Sequence, residues 1–382
     1  MPLTWFKQRQ NIAALCLALF VLVLHMLVIN QPLEMMFDEL HYVPEANSII
    51  AGEGLLHPEH PSLGKLFIAL GITLFGDNTF GWRIFSVLFG VAAIILFYLI
   101  CQSLTTRKYV PLIATFIFAA ENQSFVQSGI AMLDVYSVTF MMASFLFYLR
   151  ARYISSGVAV ALSALAKMTG AFSAVAILLH WVFARRNPKR NGVKFLIATA
   201  VAFLAFMILT DYIVAGELLY PWDRLHYMFD KLTSLTLANS TAGNTSHPWE
   251  WIISPVAMAF RYAPRYMAGT NWNLWALIIP TMGYAIYGTL RRNSLCAFGL
   301  FWFASTYLSW VFIDIITDRI TYRFYFYPTI GAVCLVLGFA LQRMLAAASR
   351  AKTRKVRWTL QALVTGWLIS HLVIFLVMSP LF

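Results

Sequence analysis

Ionisable side chains are scarce in this 382-residue chain, and they are unevenly spread. The densest stretch is Phe37-Asp38-Glu39-Leu40-His41-Tyr42, followed by Pro58-Glu59-His60-Pro61-Ser62-Leu63-Gly64-Lys65. Two adjacent carboxyls are a minimal set for taking a proton from a substrate, and they serve equally as a solvated cap at a helix end. Pro58 and Pro61 fix a turn. Lys65 opens a short apolar run, Leu66 to Phe75, where an ammonium either meets a phosphate or snorkels to lipid headgroups. Asp134 stands at the start of an apolar segment, where a helix dipole favours an acid whatever its chemistry.

The elements that must position these groups are transmembrane helices. The chain is 60% hydrophobic and 12% charged, with a mean hydropathy of +0.71, against about 25% charged residues in a soluble domain. Hydropathy predicts an all-α polytopic protein of about 11 spans, near 11–30, 80–101, 109–127, 131–149, 153–168, 170–184, 193–215, 272–290, 295–315, 324–342 and 358–379. The first is read as an uncleaved helix behind Lys7 and Arg9. The fifth and sixth are short and form a hairpin around Lys167-Met168-Thr169-Gly170.

Charge orients this layout. With the N-terminus cytoplasmic, the inner loops hold most of the 28 Lys and Arg, including Arg107, Arg150, Arg185, Arg186, Arg291 and Arg350, while all 16 Asp and Glu fall at the outer side. The basic loops are short and read as orientation signals, which argues against nucleic-acid binding. Cys16, Cys101, Cys296 and Cys334 lie in apolar runs without metal or disulfide spacing, and His25, His180 and His371 read as packed helix residues. Two outer segments, about 31–79 and 216–271, are long enough to fold. The first contains an interfacial helix over Leu66–Phe75; the second is rich in Trp and Tyr, with an exposed loop at Asn239–Ser246 whose N-x-S/T triplets read as chance. The whole chain, 1–382, is one transmembrane domain with no internal repeat, and chemistry at the outer interface fits the one-sided acids better than transport through the bilayer centre.

The pattern FDELHYVPEA…EHPSLGKL…FGDNTFGWRIFSVLFG resembles the dolichyl-phosphate-mannose–protein mannosyltransferases and their prokaryotic relatives. Met132-Leu133-Asp134, Ala164 to Gly170, Ser246-His247-Pro248-Trp249 and Tyr322 to Pro328 follow in the same order, so the resemblance runs through nearly the whole chain. It implies a GT-C glycosyltransferase fold and inverting transfer of a sugar, mannose first, from a polyprenyl- or dolichyl-phosphate carrier to a protein, glycan or lipid acceptor. Asp38 matches the family's catalytic acid, with Glu39 orienting it or the acceptor, and Asp134 matches a second outer acid. Cations would stabilise the departing carrier phosphate. His60, Lys65, Arg83, Lys167, Arg319, Arg323 and Tyr325 are the candidates, arginine being suited to a two-point grip. No cofactor is required; a divalent metal held by Glu59 and His247, with His60, is the open option. The implied location is the plasma (inner) membrane, with the active site on the periplasmic or extracellular side. The chain has no room for the β-rich lumenal domain of the eukaryotic protein-mannosylating members. Two alternatives stand beside this reading: an amino-sugar transferase acting on a lipid, and a transporter or flippase of lipid-linked sugars.

Overall fold

The computed structural model of the chain describes residues 8–184, 189–237 and 243–381. In chain order the helices are α1 (Arg9–Val28), α2 (Glu39–Ala51), α3 (Leu63–Phe75), α4 (Thr79–Leu104), α5 (Val110–Ala119), α6 (Asn122–Ser128), α7 (Leu133–Leu149), α8 (Tyr153–Ala166), α9 (Phe172–Ala184), α10 (Lys189–Ala215), α11 (Pro221–Ser234), α12 (Glu250–Ile253), α13 (Trp272–Ala276), α14 (Ile278–Leu290), α15 (Ser294–Phe303), α16 (Ser309–Thr317), α17 (Tyr327–Ser349) and α18 (Arg354–Met378). An antiparallel hairpin, β1 (Met258–Arg261) and β2 (Tyr266–Ala268), pairs Met258 with Ala268 and Arg261 with Tyr266 across a bulge.

Among the described residues, six helical stretches are long and apolar enough to cross a membrane: Arg9–Val28, Thr79–Leu104, Lys189–Ala215, Ser294–Thr317, Arg323–Ser349 and Arg354–Met378. Counting the bent pair α6–α7 as one span makes seven, and shorter apolar helices, α3, α5, α8 and Met168–Ala184, add to them. The chain is therefore a multi-pass membrane protein. The windows in Lys189–Ala215 and Arg354–Met378 are only 17% buried, so these helices turn their apolar surface outward. In the middle, α4, α5, α7, α15 and α17 bury Phe97, Phe118, Phe145, Phe298 and Trp302. Small residues allow the closest approach: a Cβ on Gly338 would lie 2.7 Å from Ala114 Cα, so α17 and α5 touch along their backbones.

Helices lie in each of the expected spans, but two of these are interrupted, the one expected at 272–290 breaking at Leu277 between α13 and α14. The span expected at 109–127 ends at Ala119, and α6 meets α7 at 113°. The cause is polar. Glu121 caps α6 by accepting from Ser124 N at 2.7 Å; Asn122 donates to Met267 O (2.6 Å), and Gln123 and Gln127 donate to Phe324 O (2.7 and 2.9 Å). These side chains satisfy irregular backbone that lipid could not. The interfacial run starts earlier than expected, at Leu63, and the break at Lys167 is a 3₁₀ turn over Met168–Ala171. His25, His180 and His371 are buried. Lys7, Arg185, Arg186 and the triplet at Asn239 lie outside the described residues. The second triplet ends at Ser246, which is buried under Trp251 (Nε1 to Oγ, 3.0 Å) and so is not part of an exposed loop.

Candidate active site

The site forms where the starts of α2, α4, α7 and α17 meet the ends of α8 and α10. Phe37 adopts φ 52°, a costly conformation for an aromatic residue. It is held there by stacking on Phe260 (ring centroids 4.1 Å) and by the edge of Phe324 (5.3 Å). The β1–β2 hairpin thus buttresses the turn that delivers Asp38 to the N-cap position of α2. Asp38 makes no capping bond, and among the described residues no hydrogen bond or ion pair engages its carboxylate. Burial pushes this carboxyl from 3.8 up to about 7, against the pull of Lys167 and with a further push from Asp134.

Opposite it, Lys167 Nζ donates to both oxygens of Asp134 (2.8 and 2.7 Å) and lies over the rings of Tyr325 (4.9 Å) and Phe324 (5.4 Å). Gly64 lets α3 close on this corner: a Cβ there would stand 2.8 Å from Leu133 and 2.9 Å from Ala166 O. Tyr42, one turn after Asp38, packs against the His60 ring (6.0 Å). Burial raises the Tyr42 phenol well above its usual range, helped by Asp38 and Asp134, so it remains an O–H donor. Burial also lowers His60 well below 6.5, helped by Lys167, Lys65 and Arg319, which keeps its imidazole neutral.

Around this corner runs a frame of buried ion pairs. Arg83 grips Glu39 through two nitrogens, each at 2.8 Å, and its remaining donors end on the carbonyls of Ile29, Gln31, Pro32 and Glu34. Glu39 also accepts from the amides of Ala131 (2.9 Å) and Met36 (3.1 Å). Lys65 Nζ donates to Glu45 (2.6 Å) and to the carbonyls of His57 (2.5 Å) and His60 (3.2 Å), and His57 meets the other Glu45 oxygen at 3.0 Å. From α11, Arg224 reaches the carbonyls of Pro58 and His60 and pairs with Asp211 (3.2 Å), whose second oxygen takes the Ser62 hydroxyl at 2.6 Å. Two cations therefore hold the backbone of 57–62, both reaching the His60 carbonyl.

Residues 15–215 match the dolichyl-phosphate-mannose-protein mannosyltransferase family. The chain belongs to this family. Among curated relatives, the polyprenol-phosphate-mannose–protein mannosyltransferase of Mycolicibacterium smegmatis is 36% identical over 115 residues, covering 28% of this chain and 22% of the relative. The protein of that name from Mycobacterium tuberculosis is 34% identical over 115 residues, with the same coverage. The matched stretch thus spans about a fifth of those relatives' length. The fold is that of the Saccharomyces cerevisiae protein O-mannosyltransferase Pmt1–Pmt2 complex bound to its sugar donor (TM-score 0.79, 13% identity, 98% of this chain and 90% of that one). ArnT from Cupriavidus metallidurans bound to undecaprenyl phosphate also shares it (TM-score 0.63, 16% identity, 96% and 70%). These structures carry the GT-C arrangement expected from the sequence.

For this family member the structure groups Asp38, Asp134, Lys167, His60 and Tyr325, and sets several other expected site residues apart. Glu39 is fully buried, and both of its oxygens are engaged by Arg83 and by the amides of Met36 and Ala131, as in a structural pin. Arg83 has no N–H left for a phosphate, and Lys65 has spent all three donors. Arg323 donates to the carbonyls of Glu250 and Ser254, both at 3.0 Å, and so fastens α12. The metal set is not assembled. His247 pairs with Asp314 (3.0 Å) and stacks on Trp249, and no cluster of three possible ligands, Glu59 included, occurs among the described residues. Tyr42, Glu45, His57, Asp211 and Arg224 escaped the sequence reading. Only Tyr42 carried a signal, its helical spacing from Asp38.

Proposed function

We propose that the protein transfers mannose from a polyprenyl-phosphate carrier to an acceptor hydroxyl, with Asp38 as the base. One observation carries this: Asp38 is the acid of this corner whose carboxylate is left unengaged, and burial has raised it to about 7, where a general base is most effective near neutral pH. The acceptor oxygen attacks the anomeric carbon of the sugar from the face opposite the phosphate. The bond from that carbon to the phosphate oxygen breaks, the configuration inverts, and polyprenyl phosphate leaves with the bonding pair. Asp38 takes the hydroxyl proton. Lys167, Arg319 and neutral His60 receive the charge growing on the phosphate, and the Tyr325 hydroxyl adds a donor. Asp134 keeps Lys167 charged and in place.

The names of the mycobacterial relatives support mannose and a protein acceptor, and the undecaprenyl phosphate bound by the Cupriavidus structure supports the carrier class. We further infer about eleven crossings, α5, α8, Met168–Ala184 and α14 being read as short spans, and a cytoplasmic N-terminus with the acid-rich end outside, a reading supported by the basic loops. The test is sugar release from radiolabelled polyprenyl-phosphate mannose by the purified protein, with cell-envelope acceptors, beside Asp38→Asn. Release by wild type and none by the variant is expected. Equal release by both, or none by wild type, would overturn the reading.

A further inference from the structure

The hairpin of α7 and α8 carries charge at both ends. Its open end holds the Asp134–Lys167 pair. The 17 residues of α7 run for about 25 Å at about 1.5 Å per residue, so the turn Arg150-Ala151-Arg152 lies about that far from the catalytic corner. There a cavity of about 510 Å³ opens between α8 and α10, with Arg152, Tyr153, Ile154, Ser155, Asn191 and Lys194 in its wall. The two helices run parallel from this point. Gly157 lies against α10, where a Cβ would stand 2.5 Å from Phe195 O and 2.9 Å from Thr199 N, and Leu165 packs with Met207 further along. Their positive ends therefore meet at the cavity. The first amides of α8 lack an intrahelical acceptor, and no side chain caps them. Arg152 and Lys194 add two full charges, and no ion pair among the described residues includes either. The surrounding chain cannot supply a counter-charge, because it has no acid between Asp134 and Asp211. Next to the wall residues, Ile154, Val193, Leu196 and Ile197 are exposed. Tyr153 packs on Trp181 (ring centroids 5.0 Å), an aromatic pair suited to headgroup depth.

We propose that this cavity binds the headgroup of an anionic phospholipid, in the leaflet away from the catalytic corner, and that the bound lipid ties the starts of α8 and α10 together. The occupant follows from charge and from the apolar surround. Without an anion, two like charges and two helix ends of one sign crowd the same cavity. A phosphodiester answers both, taking Arg152, Lys194 and the uncapped amides of α8, while acyl chains lie along Ile154 and Ile197. Basic pockets between membrane helices suit such headgroups. Phosphatidylcholine would bring its own cation against Arg152 and Lys194, and a soluble phosphate would leave the apolar surround bare.

The site is separate from sugar transfer, so binding alone reads its occupancy. Delipidated full-length protein in detergent is titrated with phosphatidylglycerol or phosphatidylcholine, and bound lipid is counted by native mass spectrometry. Phosphatidylglycerol should bind about thirtyfold more tightly, the factor that two basic side chains supply towards an anionic lipid. Arg152→Gln with Lys194→Gln should bring the two lipids towards parity. Ser155→Glu, which sets a carboxylate in the cavity, should do the same. All three positions are exposed, so these changes leave the core intact. Arg354→Gln with Lys355→Gln, at two exposed cations of another basic segment, should keep the preference unchanged. Phosphatidylglycerol should also raise the thermal midpoint of wild type but not of the Arg152/Lys194 variant. Excess glycerol phosphate should not displace the lipid. Equal binding of the two lipids by wild type, a preference that survives in the Arg152/Lys194 variant, an equal loss in the Arg354/Lys355 variant, or full displacement by glycerol phosphate overturns the proposal.

Discussion

The segments 31–79 and 216–271 flank the same corner but are built on opposite plans. The first folds its charges inward: Glu39–Arg83 and Glu45–Lys65 are ion pairs with no side-chain exposure at all. The second buries Trp251, Met258 and Tyr266, leaves Glu217, Asp223 and Asp230 outside, and sends a single arginine, Arg224, inward. The contrast separates two uses of charge. In the first segment the buried pairs are architecture, and Asp38, buried with its carboxylate unengaged among the described residues, is the one fitted for chemistry. In the second segment charge is mostly a coat, and contact with the site passes through Arg224 and through the Phe260 ring of the hairpin.

Several variants would break or sharpen this contrast. Asp38→Asn should lower turnover by about 10²–10⁴-fold while the protein still folds. Its stability relative to wild type should improve as pH rises. With the folded carboxyl at about 7 and the unfolded one at 3.8, the native state holds a proton that the unfolded chain has released, so wild-type stability falls across that window and the amide removes the fall. Thermal denaturation at pH 5 and 8 reads this directly. Glu39→Gln should do the reverse. Leaving Arg83 buried and unpaired costs roughly 3–5 kcal/mol, seen as poor accumulation and a lowered midpoint, and Glu39→Leu with Arg83→Met should recover much of it. If Glu39→Gln folds normally and is merely inactive, the architectural assignment fails. In wild type, kcat/KM should climb with pH up to about 7 and then level, and Asp38→Glu should move the inflection. Arg224→Ala should cost roughly tenfold in kcat/KM, equivalent to 1.4 kcal/mol, with partial recovery in Arg224→Lys. At the small end, Tyr262→Ser, at a side chain 82% exposed in the second segment, should alter stability by no more than about 0.5 kcal/mol.

Hydropathy made the helices legible, because lipid imposes length and composition on each crossing. The break at Glu121 was not legible, since the carbonyls that Asn122 and Gln127 satisfy lie 145 and 197 residues away. The same holds for the cations. Arg83 and Lys65 have the residue types for phosphate binding, and what removes them is the identity of their partners, 44 and 20 residues distant. Asp38 and Lys167 could be singled out because each stands in a motif at a helix end. Arg224 could not, since nothing near it in the chain announces a contact with His60, 164 residues earlier.

The way Lys65 and Arg224 hold 57–62 has a consequence for how this corner can diversify. Both cations end on main-chain carbonyls, which every residue possesses, so the path of the loop is set almost independently of the side chains mounted on it. Glu59 and His60 can be exchanged without loosening the mount, and selectivity for a different head group can be tried without rebuilding the scaffold. Saturation mutagenesis should therefore find the two anchors intolerant and positions 59 and 60 permissive for folding, whatever becomes of activity.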